Sequence, residues 1–376
     1  MPVPYGRQAL DESDVQAVVD VLRGDWLTQG PGVREFEAAF AASCDAPFAV
    51  AFSSGTAALH AAAFVAGLGP GDELVTSAIT FAASANCAAY VGATPRFADI
   101  ERDTWNVSAE TVRAVLSERT RAVVPVHFAG LPAPVAQMRD AVGPDVTIVE
   151  NAAHAAGART PDEPVGACRH SDMAVFSFHP VKTITSGEGG MVTTRSEELR
   201  EALEQFRSHG MTGPDPDEGE WVRGQELLGF NYRLTDIQSA LGRSQLAKLA
   251  GFVERRNEIV ARYREALADV PELELPPAAP PGTLHAYHLF VVRHREGLDA
   301  RRALYQRLRS RGILAQVHYL PVYRHPWYAR TYAYRPGLCP EAERYYSGCL
   351  SLPCFPTLSA EDQDLVIDEV RAAVPV

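Results

Sequence analysis

From about residue 46 to residue 195, short apolar runs alternate with amphipathic stretches, and the runs tend to end in turns of small or polar residues. That alternation marks consecutive βαβ units and restricts this part of the chain to a mainly parallel sheet with helices on its faces. The predicted strands are Phe48–Phe52, Glu73–Thr76, Pro95–Ala98, Ala122–Val126, Val146–Val149, Ala174–Phe178 and Met191–Thr194. Predicted helices run from Thr56 to Leu68, closed by Gly69 and Pro70, and from Ala82 to Tyr90.

Beyond the sheet, Thr235 to Ala268 reads as one long helix, opened by a capping box of Thr235 and Gln238 and ended before Pro271. The proline-rich stretch from Leu275 to Gly282 marks a boundary. It separates a large domain, residues 1–250 with the linking helix at about 235–268, from a small α/β domain over 270–376. In the latter, His288–Val292 and Ile313–Val317 read as strands, and Ala300–Arg311 and Ala360–Ala373 as helices. A chain of 376 residues with 46% hydrophobic content can bury a core of that size.

The formal net charge of −12 argues against a nucleic-acid or anionic-membrane surface. No apolar stretch is long enough to span a bilayer, and the first residues lack a charged segment followed by an apolar one, so a soluble cytoplasmic protein is expected. Six scattered cysteines, without a CxxC pair, read as buried small hydrophobes, and no metal site is expected.

Parallel sheets of this kind bind ligands at the carboxyl ends of their strands, and chemically suited residues recur there. Lys182 follows Phe176-Ser177-Phe178-His179-Pro180-Val181 and precedes Ser186-Gly187-Glu188-Gly189-Gly190. A lysine on a loop walled by Phe, His and Pro is suited to condensing with an aldehyde; the competing reading is an ordinary surface lysine. The Ser177 hydroxyl could hold a phosphate, and the glycines let backbone pack closely round a flat ring, a description that pyridoxal 5′-phosphate fits. Ser53-Ser54-Gly55-Thr56 starts a helix directly after a strand, and its free N–H groups with the Thr56 hydroxyl suit a phosphate. At the end of another strand, strand alternation allows only one of Glu150 and Asn151 to face a ligand, with His154 close behind. Phe81, at a further strand-to-helix junction, could stack on a flat cofactor, and Asn231 and Arg233 could reach a phosphate.

Taken with Leu27-Thr28-Gln29-Gly30-Pro31, Val126-His127-Phe128-Ala129-Gly130, Arg207-Ser208-His209-Gly210 and Val317-His318-Tyr319-Leu320-Pro321, these segments resemble the DegT/StrS family of sugar-nucleotide aminotransferases. The resemblance runs from Pro4 to the C-terminus. It implies a fold type I, aspartate aminotransferase-like architecture with a mostly parallel seven-stranded sheet. It also implies pyridoxal phosphate as cofactor and an obligate homodimer with shared active sites. Lys182 would bind the cofactor covalently, Gly55, Thr56 and Ser177 would hold its phosphate, Phe81 would stack on the ring, and Asn231 would reach across from the second subunit. The subgroup most similar in its motifs aminates C4 of a UDP-linked 4-keto-6-deoxy-N-acetylhexosamine with glutamate as donor. Thr28, Gln29, His318 and Tyr319 are the candidates for sugar contacts.

One position departs from the family pattern: Asn151 stands where the family carries Asp, whose carboxylate keeps the pyridine nitrogen protonated. An amide carries no charge and can donate to, or accept from, that nitrogen. Three explanations stay open: a differently tuned aminotransferase, a chemistry that needs a weaker electron sink, or a residue changed by design. The rival functions are a pyridoxal-phosphate enzyme of another class, such as a deoxysugar dehydratase, and a non-catalytic cofactor-binding protein. In the dehydratase branch histidine replaces the lysine, so Lys182 counts against it.

Overall fold

In the computed structural model, which describes residues 2–373 apart from 216 and 218, the chain opens on β1 (Val3–Pro4). It then lays down the seven strands of the main sheet: β2 (Phe48–Phe52), β3 (Glu73–Ser77), β4 (Thr94–Ala98), β5 (Thr120–Val124), β6 (Thr147–Asn151), β7 (Met173–Ser177) and β8 (Gly190–Thr194). Their order is β2-β8-β7-β6-β5-β3-β4, and only β8 runs against its neighbours. The interior strands are apolar on both faces because helices cover both, which is why they read as continuous Val and Ala runs.

The helix Gly55–Val65 explains how one end of the sheet becomes a site. Ala57, Ala58, Ala61, Ala62 and Ala63 are all buried, and with so little side chain the helix lies close on the sheet. At its start Ser54 caps the helix by accepting from the Ala57 N–H at 3.1 Å. Gly190 of β8, paired with both Phe52 and Ser177, passes under that cap. A Cβ on Gly190 would lie 2.5 Å from the Ser54 carbonyl oxygen, so no other residue leaves the helix where it is.

After the main sheet come the hairpin β9 (Met211–Asp215) and β10 (Gly219–Gln225) and then a second, antiparallel sheet. The latter is ordered β11 (Leu273–Glu274), β12 (Phe290–His294), β14 (Cys349–Leu352) and is backed by the helices Leu298–Ser310 and Ala360–Ala373. Between them, β13 (Ile313–Leu314) pairs in parallel with β1, tying the start of the chain to its last quarter. All six cysteines are buried and unpaired, as small hydrophobes are.

Two expectations need correction. The strand predicted over 313–317 stops at Leu314, because beyond it the backbone bridges Ser351 through Gln316 and then turns to carry His318 and Tyr319 inward. The single helix predicted over 235–268 is two, Asp236–Leu246 and Leu249–Ala266, with Thr235 and Gln238 forming the expected capping box. At the break Lys248 pairs with Asp11 at 2.6 Å and Asp14 at 2.8 Å. The first helix packs on the N-terminal helices Glu12–Arg23 and Pro31–Ser43, while Ile259, Val260 and Tyr263 of the second enter the core around β12. One straight rod would not serve both surfaces.

Replacing Gly190 by Ala should push the first turn of the Gly55–Val65 helix off the sheet. The expected cost is about 1–3 kcal/mol, read as a lower midpoint of thermal or denaturant unfolding.

Candidate active site

A cavity of about 540 Å³ opens where the carboxyl ends of the main-sheet strands face the segment His318–Tyr319. That size suits a small organic ligand. Of the residues singled out in the sequence, Gly55, Thr56, Phe81, Asn151, His154, Ser177, Lys182, His318 and Tyr319 all line it. Thr28, Gln29 and Asn231 do not. In the single chain all three are exposed, with Thr28 bridged to Thr235 and Asn231 to Ser208.

Lys182 is presented by a tight turn in which its own N–H donates to the His179 carbonyl at 2.9 Å. The loop is closed behind it by Phe178 and Gly189, and by Thr185, whose hydroxyl donates to the Phe178 carbonyl. Burial pulls the pKa of the Lys182 amine down to about 7, so that near neutrality much of it is an uncharged nucleophile. No carboxylate pairs with it among the described residues.

Beside it lies a cluster of neutral imidazoles. Burial first, and then the Lys182 charge, hold His154 well below the ordinary histidine range and bring His318 down to about 3. His154 Nε2 lies 3.3 Å from the Tyr319 hydroxyl, and its Nδ1 is buried without a partner among the described residues. His318 Nδ1 is held by the Ser351 hydroxyl at 2.7 Å. Burial also raises the pKa of the Tyr319 phenol, which therefore stays a donor at neutral pH. Phe81 stands at the mouth, 59% exposed, its ring 6.4 Å from that of Tyr319.

At the opposite wall, the N–H groups of Gly55 and Thr56 begin the helix with no intrahelical acceptor. The hydroxyl of Ser177 lies beside them: a Cβ on Gly55 would come within 2.9 Å of the Ser177 Cβ. Free N–H groups at a helix N-terminus and two hydroxyls make a set of donors suited to an anion. With the Lys182 amine and the His154 ring on the lining of the same cavity, the donor set fits pyridoxal phosphate.

The contacts of β6 settle the choice that strand alternation left open. Asn151 faces the cavity, whereas Glu150 points to the other side of the strand, where His127 Nε2 donates to it at 2.7 Å and the Ser171 hydroxyl also donates. Sequence reasoning passed over Tyr5, whose ring lies 4.9 Å from that of His318. Nothing local marks it, since its position comes from the β1–β13 pairing. Ser84, which receives the Asn151 amide, was passed over for the same reason.

A lysine with a lowered pKa and a donor set suited to an anion, brought into one cavity at the strand ends of this sheet, suit an enzyme that binds a phosphorylated aldehyde cofactor through an imine. The model of the DegT/DnrJ/EryC1/StrS aminotransferase family matches residues 8–371. The chain is 37% identical over 380 residues to the spore coat polysaccharide biosynthesis protein SpsC of Bacillus subtilis, covering 99% of this chain and 97% of that one. Among solved structures it is similar to PseC of Helicobacter pylori, an aminotransferase involved in the biosynthesis of pseudoaminic acid. There the TM-score is 0.92 and the identity 31%, over 100% of this chain and 99% of the other. It also matches the PLP form of the sugar aminotransferase Spr1654 of Streptococcus pneumoniae, with TM-score 0.93 and 28% identity over 100% and 99%. The chain belongs to the DegT/DnrJ/EryC1/StrS aminotransferase family and is a pyridoxal-phosphate-dependent transaminase.

Because only the uncharged amine attacks an aldehyde, capture of pyridoxal phosphate by the cofactor-free protein should speed up about tenfold per pH unit below 7 and level off above it. Stopped-flow absorbance across pH 5.5–9.5 checks this. A rate still climbing at pH 9 would mean that the lysine titrates as it does in water.

Proposed function

We propose that the protein transfers the amino group of an amino acid, L-glutamate, to C4 of a UDP-linked 4-keto-6-deoxy-N-acetylhexosamine or a closely similar keto sugar nucleotide. The products are the 2-keto acid and the amino sugar nucleotide. The observation that carries this reading is the desolvated Lys182 amine facing the Gly55–Thr56–Ser177 cradle. The likeness to a polysaccharide-biosynthesis protein and to a pseudoaminic-acid aminotransferase supports a sugar as acceptor.

In this reading the N–H groups of Gly55 and Thr56 and the hydroxyls of Thr56 and Ser177 hold the cofactor phosphate. Asn151 and His154 would meet the ring, and Phe81 would stack on it. When bound, pyridoxal phosphate supplies an aldehyde that exchanges amines and a ring that draws electron density from the bond being broken. Lys182 is the catalytic residue on this reading: its Nζ would hold the cofactor and, once displaced, would take a proton from the donor's α-carbon and deliver it to the carbon that was the cofactor's aldehyde. A neutral Nζ is required for that step, and the surrounding burial favours one. His318 and Tyr319 wall the side from which the sugar enters.

Thr28, Gln29 and Asn231 lie outside the cavity of one chain and belong, on this reading, to the shared site of a homodimer. Asn231 would reach the phosphate of the second copy, while Thr28 and Gln29 would contact the sugar. The exposure of Phe81, Trp26 and Leu228, at 59%, 59% and 78%, agrees with surfaces that a second copy covers.

A second reading, loss of water from the sugar in place of amine transfer, is favoured only by Asn151. Adding a 4-keto sugar nucleotide to the amine form of the holoenzyme separates the two: transfer puts nitrogen on the sugar, whereas elimination yields a sugar that has lost a hydroxyl and gained no nitrogen. The amine form itself is made from L-glutamate with release of one equivalent of 2-oxoglutarate, a half-reaction followed by absorbance and mass spectrometry. Lys182→Ala should lower the rate of that half-reaction by on the order of a hundred- to ten-thousandfold. Borohydride treatment should fix the cofactor on the peptide containing Lys182 in the parent protein and leave the variant unlabelled.

A further inference from the structure

We infer that Asn151 meets the cofactor's ring nitrogen as a hydrogen-bond donor, so that the nitrogen is held without a proton. This rests on the reading above, in which Asn151 faces the ring. It concerns which way round the amide sits, which the surrounding protein decides. The backbone N–H of Ala153 points at Asn151 Oδ1 from 3.1 Å, and a backbone donor requires an oxygen there. Nδ2 therefore lies on the other side, 2.7 Å from Ser84 Oγ. Ser84 is fully buried, and its hydroxyl oxygen, 2.7 Å from that of Thr80, accepts a hydrogen bond from the amide. One Nδ2 proton is thereby used. The second has no protein acceptor among the described residues, and the side chain that carries it lines the cavity.

The charges around the site point the same way. A pyridinium nitrogen in a desolvated cavity needs an anion beside it. Glu150, one residue away, faces the opposite side of the strand and is engaged by His127 and Ser171. Glu188, the only carboxylate on the cavity lining, is exposed and sits on the loop that carries Lys182. His154 and His318 are neutral through burial, and any charge on Lys182 opposes a second cation nearby. Among the described residues no carboxylate on the cavity wall is placed to neutralise a protonated ring, and the free Nδ2 proton of Asn151 is suited to donate to an unprotonated one.

The test is the ring nitrogen itself. Holoenzyme loaded with pyridoxal phosphate labelled with 15N in the ring should give a nitrogen resonance at the pyridine end of the shift range, unchanged between pH 6 and 8. In Asn151→Asp the hydroxyl of Ser84 and the N–H of Ala153 can both donate to the new carboxylate, and the resonance should move to the pyridinium end. A pyridinium shift in the parent protein overturns the inference whatever the variant does. If borohydride leaves no adduct on Lys182, the assignment of the cofactor site fails, and the inference with it. An adduct together with a pyridinium shift fails the inference alone.

Discussion

The close approach of one helix to two strands underlies the rest of the site. The Gly55–Val65 helix can rest its first turn on β7 and β8 only because Gly55 and Gly190 carry no side chain at the contact and because alanines line its buried face. That contact sets two unpaired N–H groups beside the Ser177 hydroxyl, and Ser177 closes the strand whose continuation is the Lys182 loop. Anion cradle and amine are thus two ends of one short piece of architecture, spaced by a strand–turn geometry that side-chain packing cannot easily vary.

Within that frame the electrostatics are dominated by burial. Among the described residues no carboxylate pairs with Lys182, and the imidazole of His318 and the phenol of Tyr319 that share its cavity are kept neutral by burial. A site that holds its own charges near zero leaves the charge of whatever enters to be met by oriented N–H and O–H groups. These are fixed in place before binding and do not need to reorganise. The acidic group of the neighbourhood, Glu150, is spent on the far face of the sheet, where it orders His127 through its Nε2 while the Ala133 N–H donates to Nδ1.

Most of the main sheet was legible because its strands are short apolar runs with small-residue turns, and because period-2 alternation and helix caps are local signals. The same locality exposed Lys182, Ser177, Gly55 and Thr56, each next to a strand end. The break at Lys248 was not legible: Leu246-Ala247-Lys248-Leu249 contains no Gly or Pro, and the interruption comes from ion pairs with Asp11 and Asp14, more than 230 residues earlier. Tyr5 and Ser84 were missed for the same kind of reason. Each is ordinary in sequence and acquires a role through contacts made after folding. At β6 alternation allowed one of two neighbours to face the ligand, and only the pairing of Glu150 with His127 shows which.

The parallel pairing of Val3–Pro4 with Ile313–Leu314 has a consequence for how the protein is made. Tyr5, held there with its carbonyl accepting from the Cys354 N–H at 3.0 Å, and the pair His318–Tyr319 close one wall of the pocket. A ribosome must have made the chain past residue 354 before these distant stretches can meet, and a chain cut short near residue 300 would carry the lysine in a pocket that lacks this wall.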